Sequence, residues 1–233
     1  MPNKFNTRRC LREAFTLIEM LTVLIVMSVL IAVVAPNLLG IINSTRMTSA
    51  GDSLINFMNL AQQEAIATNI PTEIRFYKYS ENEGNDSQSL IRAYQVVRLG
   101  RLGHDAPSQD DEGAYALVEA VTEPAIMDST LAISETEELS PILQNFFPEG
   151  EEIFKRSAAE YAAVRFYPDG SFRVPTRGGA GAADEVGVVS SPLDESYLTI
   201  TAESDVESSG SRLKNYYCIQ VDPFTGKSRV YRP

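Results

Sequence analysis

Residues 15–35 read FTLIEMLTVLIVMSVLIAVVA, an apolar run whose only charge is Glu19. No residue between Met20 and Ile42 is charged. About 20 apolar residues at ~1.5 Å each cross a bilayer core of about 30 Å, so the run predicts one membrane span. Ahead of it, residues 1–14 carry Lys4, Arg8, Arg9 and Arg12 against Glu13. Basic flanks of this kind stay cytoplasmic, which sends the rest of the chain outward. Two competing readings stay open. A secretory signal peptide cut near Ala35 needs an apolar core of about 7–15 residues, shorter than this one. A plain signal anchor leaves Glu19 unexplained, because a carboxylate inside an apolar helix costs roughly 2.5–3.5 kcal/mol on insertion scales.

Composition bounds the remainder. The 233 residues hold 20 basic and 31 acidic side chains, a net charge of −11, which argues against nucleic acid as a partner. An apolar fraction of 44% with ten Tyr and ten Phe suffices for a packed core. Two cysteines, Cys10 and Cys218, build neither a disulfide framework nor a zinc pattern. A single histidine, His104, excludes most chemistry that needs a His pair, and no catalytic set is expected. No cofactor or metal is expected either. Residues 103–154 contain thirteen acidic side chains and no Lys or Arg. Their spacing does not match a calcium loop, and a solvated acidic face is the simpler reading. The run Arg177-Gly178-Gly179-Ala180-Gly181 lacks the spacing and the Lys of a phosphate-binding loop.

Arg12-Glu13-Ala14-Phe15-Thr16-Leu17-Ile18-Glu19-Met20-Leu21 resembles the processing motif of type IV pilins and pseudopilins. The resemblance implies that a prepilin peptidase cuts between Ala14 and Phe15, where the family usually carries Gly before the cut. It implies that Phe15 becomes the N-methylated first residue and that Glu19 meets the new amino terminus of a neighbouring subunit. A Pro is expected where Pro36 stands, as a helix kink. Residues 57–69 followed by Pro71 are similar to GspH/FimT-type minor pseudopilins, and residues 216–233 resemble the Verru_Chthon cassette D proteins. The implied function is a non-catalytic, membrane-anchored subunit of a type II secretion-like pseudopilus or type IV pilus-like filament, at a minor or tip position. Its partners would be the prepilin peptidase and methyltransferase, other pilin subunits, the inner membrane and secreted substrate. The alternative is a binding module that such a filament presents.

After Gly40, Leu54, Met58, Ala61 and Ala65 form a helical stripe, widened by Phe57 and Leu60. That helix should stop near Asn69, because Pro71 disfavours helical geometry at Ile70. Strands are expected over 73–79, 91–99, 114–121, 125–133, 163–167, 172–174, 197–202, 216–221 and 228–231, with hairpin turns at Pro168-Asp169-Gly170 and at residues 222–226. The expected fold is therefore α+β and pilin-like: one long N-terminal helix, its first half transmembrane, packed on antiparallel β-sheets. The expected segments are a leader at 1–14, an assembly helix at 15–42, its amphipathic continuation at 43–69 and a β-rich domain at 70–233. The expected location is the bacterial inner membrane, with the amino terminus cytoplasmic and the β-rich domain periplasmic or extracellular.

Overall fold

A computed structural model describes residues 15–79, 90–100, 117–148, 160–177, 186–189, 191–206, 213 and 215–233, without the side chains of 33–40, 79, 117, 118, 148, 177 and 186–189. The chain separates into two compact units, Met1–Asn43 and Ser44–Pro233. Helix α1 covers Leu17–Thr68. It ends where the left-handed residue Asn69, at φ 54°, precedes Pro71. A left-handed cap followed by proline is a common helix stop. The helix is continuous through position 36. The side chain of Pro36 lies outside the described residues, as do Ala14, Cys10 and His104.

Among the described residues, twelve strands follow: β1 (Thr72–Tyr79), β2 (Leu90–Gly100), β3 (Leu117–Ala120), β4 (Ala125–Ile126), β5 (Leu131–Ile133), β6 (Phe146–Pro148), β7 (Glu160–Phe166), β8 (Phe172–Arg177), β9 (Val186–Val189), β10 (Tyr197–Ala202), β11 (Tyr216–Val221) and β12 (Ser228–Tyr231). They form one sheet in the order β12-β11-β10-β5-β2-β1-β7-β8-β9. Every pairing in it is antiparallel. Strand β1 lies at the centre, with Phe76 opposite Tyr94 of β2 on one side and Ala162 of β7 on the other. Three short strands, β3, β4 and β5, share the far edge of β2, so one long strand organises several short ones.

These observations correct the expected architecture. The β-rich part is a single twelve-stranded sheet rather than several. The part of α1 that belongs to the same compact unit as this sheet begins at Ser44. Its Met47, Leu54, Met58, Ala61 and Ala65 share a core with Ile74, Phe76, Val164 and Phe166. Leu60, expected on the buried stripe, is 37% exposed. The expected transmembrane half is also corrected: among the described residues, no helix is long and apolar enough to cross a membrane. The expected single-pass placement in the inner membrane, with the two ends on opposite sides, is overturned by the same finding.

Strand assignments differ in instructive ways. Residues 125–133 are two short strands separated by a turn at Asp128, whose Oδ1 accepts the N–H of Thr130 at 3.0 Å. The helical and strand patterns gave no hint of β6 or β9. Alternation in β1 predicted one buried face, yet Glu73, Arg75 and Tyr77 are buried as well as Ile74 and Phe76. The outer face of the centre of the sheet is therefore covered too.

Both proline-containing turns obey local chemistry. At the first, Asp169 Oδ1 accepts the backbone N–H of Ser171 at 2.9 Å and its hydroxyl at 2.6 Å. At the second, Asp222 Oδ1 accepts the N–H of Phe224 at 2.9 Å. Each turn closes on a glycine with positive φ, Gly170 at 83° and Gly226 at 63°. These bonds favour the ionised carboxylates and hold Asp169 and Asp222 below the usual aspartate range. Gln62 of α1 ties the two turns together: its Nε2 donates to Gly170 O at 3.1 Å and to Thr225 O at 2.6 Å. Gln62→Ala removes both bonds and should destabilise the Ser44–Pro233 unit by about 1 kcal/mol, read from the urea midpoint at unchanged m-value.

Candidate functional site

Two places in the molecule concentrate features that a stable core does not require. One is the start of α1. Phe15, Leu17, Leu24 and Ile31 are 72%, 84%, 67% and 65% exposed. Every other large apolar residue from Ile18 to Leu30 is also exposed. Phe15 stands just before the helix, and Glu19 sits in its first turn. Thr16-Leu17-Ile18-Glu19 has the spacing of a capping box, and Thr16 Oγ1 accepts the backbone N–H of Glu19 at 3.2 Å. An acid at this position also faces the positive end of the helix dipole. Glu19 thus has a local reason to be where it is, before any partner is considered. Of the residues singled out from sequence, Phe15 and Glu19 fall on one short segment, whereas Ala14 and the side chain of Pro36 lie outside the described residues.

The other place is the outer face of the sheet centre. Glu73 Oε1 accepts from Arg165 Nε at 3.0 Å and Nη2 at 2.8 Å. Its Oε2 accepts from Arg75 Nε at 3.2 Å. All three side chains are buried, at 3%, 4% and 8% exposure for Glu73, Arg165 and Arg75. The Arg75 guanidinium stacks on the Tyr161 ring, 4.3 Å from its centroid. Burial is the largest single influence and pulls both guanidinium pKa values down, but the Glu73 charge, its hydrogen bonds and the neighbouring tyrosines together outweigh it, and both stand above the ordinary arginine value. A cavity of about 70 Å³ opens against this cluster, with Ala163 between the two arginines and Leu99, Phe147, Tyr161 and Pro175 around it. Sequence reading missed the cluster because its members are separated by up to 92 positions and only sheet register unites them. A run of charged residues in an otherwise β-like segment, Thr72-Glu73-Ile74-Arg75, was the available signal.

A third polar contact anchors α1 to β11. Tyr217, 2% exposed, donates its hydroxyl to Asp52 Oδ1 at 2.6 Å. Desolvation first, then the bond to and charge of Asp52, push the phenol pKa up to about 12. The folded state therefore holds the phenolic proton more tightly than the unfolded chain, whose tyrosines titrate near 10. Stability from this contact is complete below pH ~10 and is lost as pH rises from there through about 12. Alkaline unfolding of wild type should show this loss, and Tyr217→Phe should remove that portion of the pH dependence; absorbance near 295 nm reads the phenolate directly.

Among the described residues, no group of three His, Cys, Asp or Glu side chains is arranged to hold a metal ion. Cys218, half-buried on β11, is a free thiol whose pKa burial raises. Compared with known proteins, the chain matches no family model, no curated protein and no solved structure.

Proposed function

We propose that this chain is a non-catalytic, pilin-like filament subunit, processed between Ala14 and Phe15 and assembled through the first turns of α1. The carrying observation is the all-round exposure of large apolar side chains between Phe15 and Ile31. A soluble surface rarely leaves so long an apolar stretch uncovered. Burying one Leu or Ile side chain gains about 1.5–3 kcal/mol, so packing several such helices together is strongly favourable. A helix that is apolar on every side needs neighbours on every side. Copies of the same helix, stacked by a repeated head-to-tail operation, provide them. The resemblance of residues 12–21 to prepilin processing sites supports the same reading, and it supplies a prepilin peptidase, an N-methyltransferase and sister subunits as partners.

Glu19 has two roles in this proposal. In the lone subunit it belongs to the helix cap. In the filament it faces the cationic amine of a neighbour's Phe15, where opposite charges about 4 Å apart attract by roughly 4 kcal/mol at an effective dielectric near 20. Glu19→Gln keeps the backbone cap but removes the charge. We expect it to fold as wild type and to lose filament incorporation by at least about tenfold, as 1.4 kcal/mol suffices for that factor. Pelleting of sheared filaments from the native host reads the effect, and incorporation at the wild-type level refutes the pairing. Intact mass spectrometry tests processing: the expected species begins at Phe15 with one added methyl, and an uncleaved chain starting at Met1 refutes the proposal.

A further inference from the structure

On the outer face of the sheet centre, described side chains at positions 73, 75 and 77 of β1, 161, 163 and 165 of β7, and 173 of β8 include three arginines and one acid. Elsewhere acids prevail, since the chain carries 31 against 20 bases. Cationic side chains are thus gathered on one patch of an acidic protein, beside a cavity. We infer that this cavity is a binding site for a single carboxylate group, with Arg75 as the residue that receives it.

Five observations carry the inference. Arg75 is 8% exposed and lines the cavity. Its Nε is committed to Glu73 Oε2, and its guanidinium plane is fixed on the Tyr161 ring. That arrangement leaves the terminal amino groups as the donors available to the cavity, in the forked geometry that matches a carboxylate. Arg75 stands opposite Ala163 in the β1–β7 register, and the small side chain leaves the space that a longer one would fill. Leu99, Phe147, Tyr161 and Pro175 border the cavity and can accept the first carbons of an acid beside the guanidinium. The volume of about 70 Å³ admits one small carboxylate head, not an extended ligand. Glu73 already neutralises part of the cluster, so a monoanion suits the remaining charge better than a dianion. Such a group can come from a free small acid or from an Asp or Glu side chain of a partner protein, and the two share this chemistry.

Titration of the full-length chain at constant ionic strength separates these sources. The probes are sodium propionate and N-acetyl-glutamate amide, and the readout is the Arg75 Nε–H resonance. Saturable displacement of that resonance by both probes assigns a free small carboxylate. Saturation by the glutamate derivative alone assigns an acidic side chain of a partner. In either case Ala163→Leu, which fills the cavity without altering a charge, is expected to weaken binding at least about tenfold, and Arg75→Lys, which lacks the fork, by a similar factor. Wild-type-like amide spectra establish that the variants fold. Failure of both probes to saturate by ~100 mM, where binding would be weaker than about 1.4 kcal/mol, overturns the inference. So does undiminished binding by Ala163→Leu.

Discussion

Replacing Glu73 by Ala is expected to destabilise the Ser44–Pro233 unit by about 3–5 kcal/mol, the typical cost of leaving buried charges without their partner. Both carboxylate oxygens are engaged by guanidinium groups, and the two arginines stay 92% or more buried. Arginine does not escape by losing its proton, since its pKa exceeds 12. The side chains must therefore either bring water into the outer face of the sheet or swing out and abandon the Tyr161 contact. The triple replacement Glu73→Leu, Arg75→Met, Arg165→Met provides the control. Removing the whole charged set in favour of apolar volume is often neutral or stabilising, so it should recover most of the loss. Urea unfolding of the full chain reads both variants. A loss under about 1 kcal/mol for Glu73→Ala would show that the network contributes no more than a surface ion pair.

Gly51→Ala is expected to lower stability by about 1–3 kcal/mol, against the usual preference for alanine in a helix. On an exposed helical surface the substitution gains roughly 1 kcal/mol, so the sign of the effect is diagnostic. Gly51 is buried, and an added Cβ would run into the Tyr217 ring. The ring has little freedom to retreat. Its hydroxyl is bonded to Asp52, and the Arg232 guanidinium lies 5.5 Å from its centroid. Overpacking of this kind displaces a ring that also anchors β11 to α1. A shift of about 1 kcal/mol moves the unfolding midpoint by 2–4 °C in a unit of this size, which calorimetry resolves. Gly51→Ala combined with Tyr217→Leu should lose less than the sum of the two single changes, because the second creates the space that the first requires. A raised midpoint for Gly51→Ala alone would contradict the close packing.

Local signals were legible where chemistry is local. Leu54, Met58, Ala61 and Ala65, spaced at helical intervals, are all buried. Asn69 and Pro71 mark the helix end through left-handed backbone and steric exclusion. The turns at Asp169-Gly170 and Asp222–Gly226 follow from side-chain hydrogen bonds and glycine φ freedom. Strand β10 is found over residues 197–202, where a strand was expected. The apolar run misled at the next level, because hydropathy alone suggested a membrane span that the described helix does not support.

The amino-acid order by itself determined helix and strand periods, the turn glycines and the charge imbalance, since each depends on neighbours within a few residues. Tertiary structure alone decided that the strands form one sheet and that Glu73, Arg75 and Arg165 share a buried face. It also set Tyr217 against Gly51 and Asp52, and brought Gln62 to two distant turns. Pairing register and long-range packing create those juxtapositions, and their energies depend on burial that no short window of sequence contains.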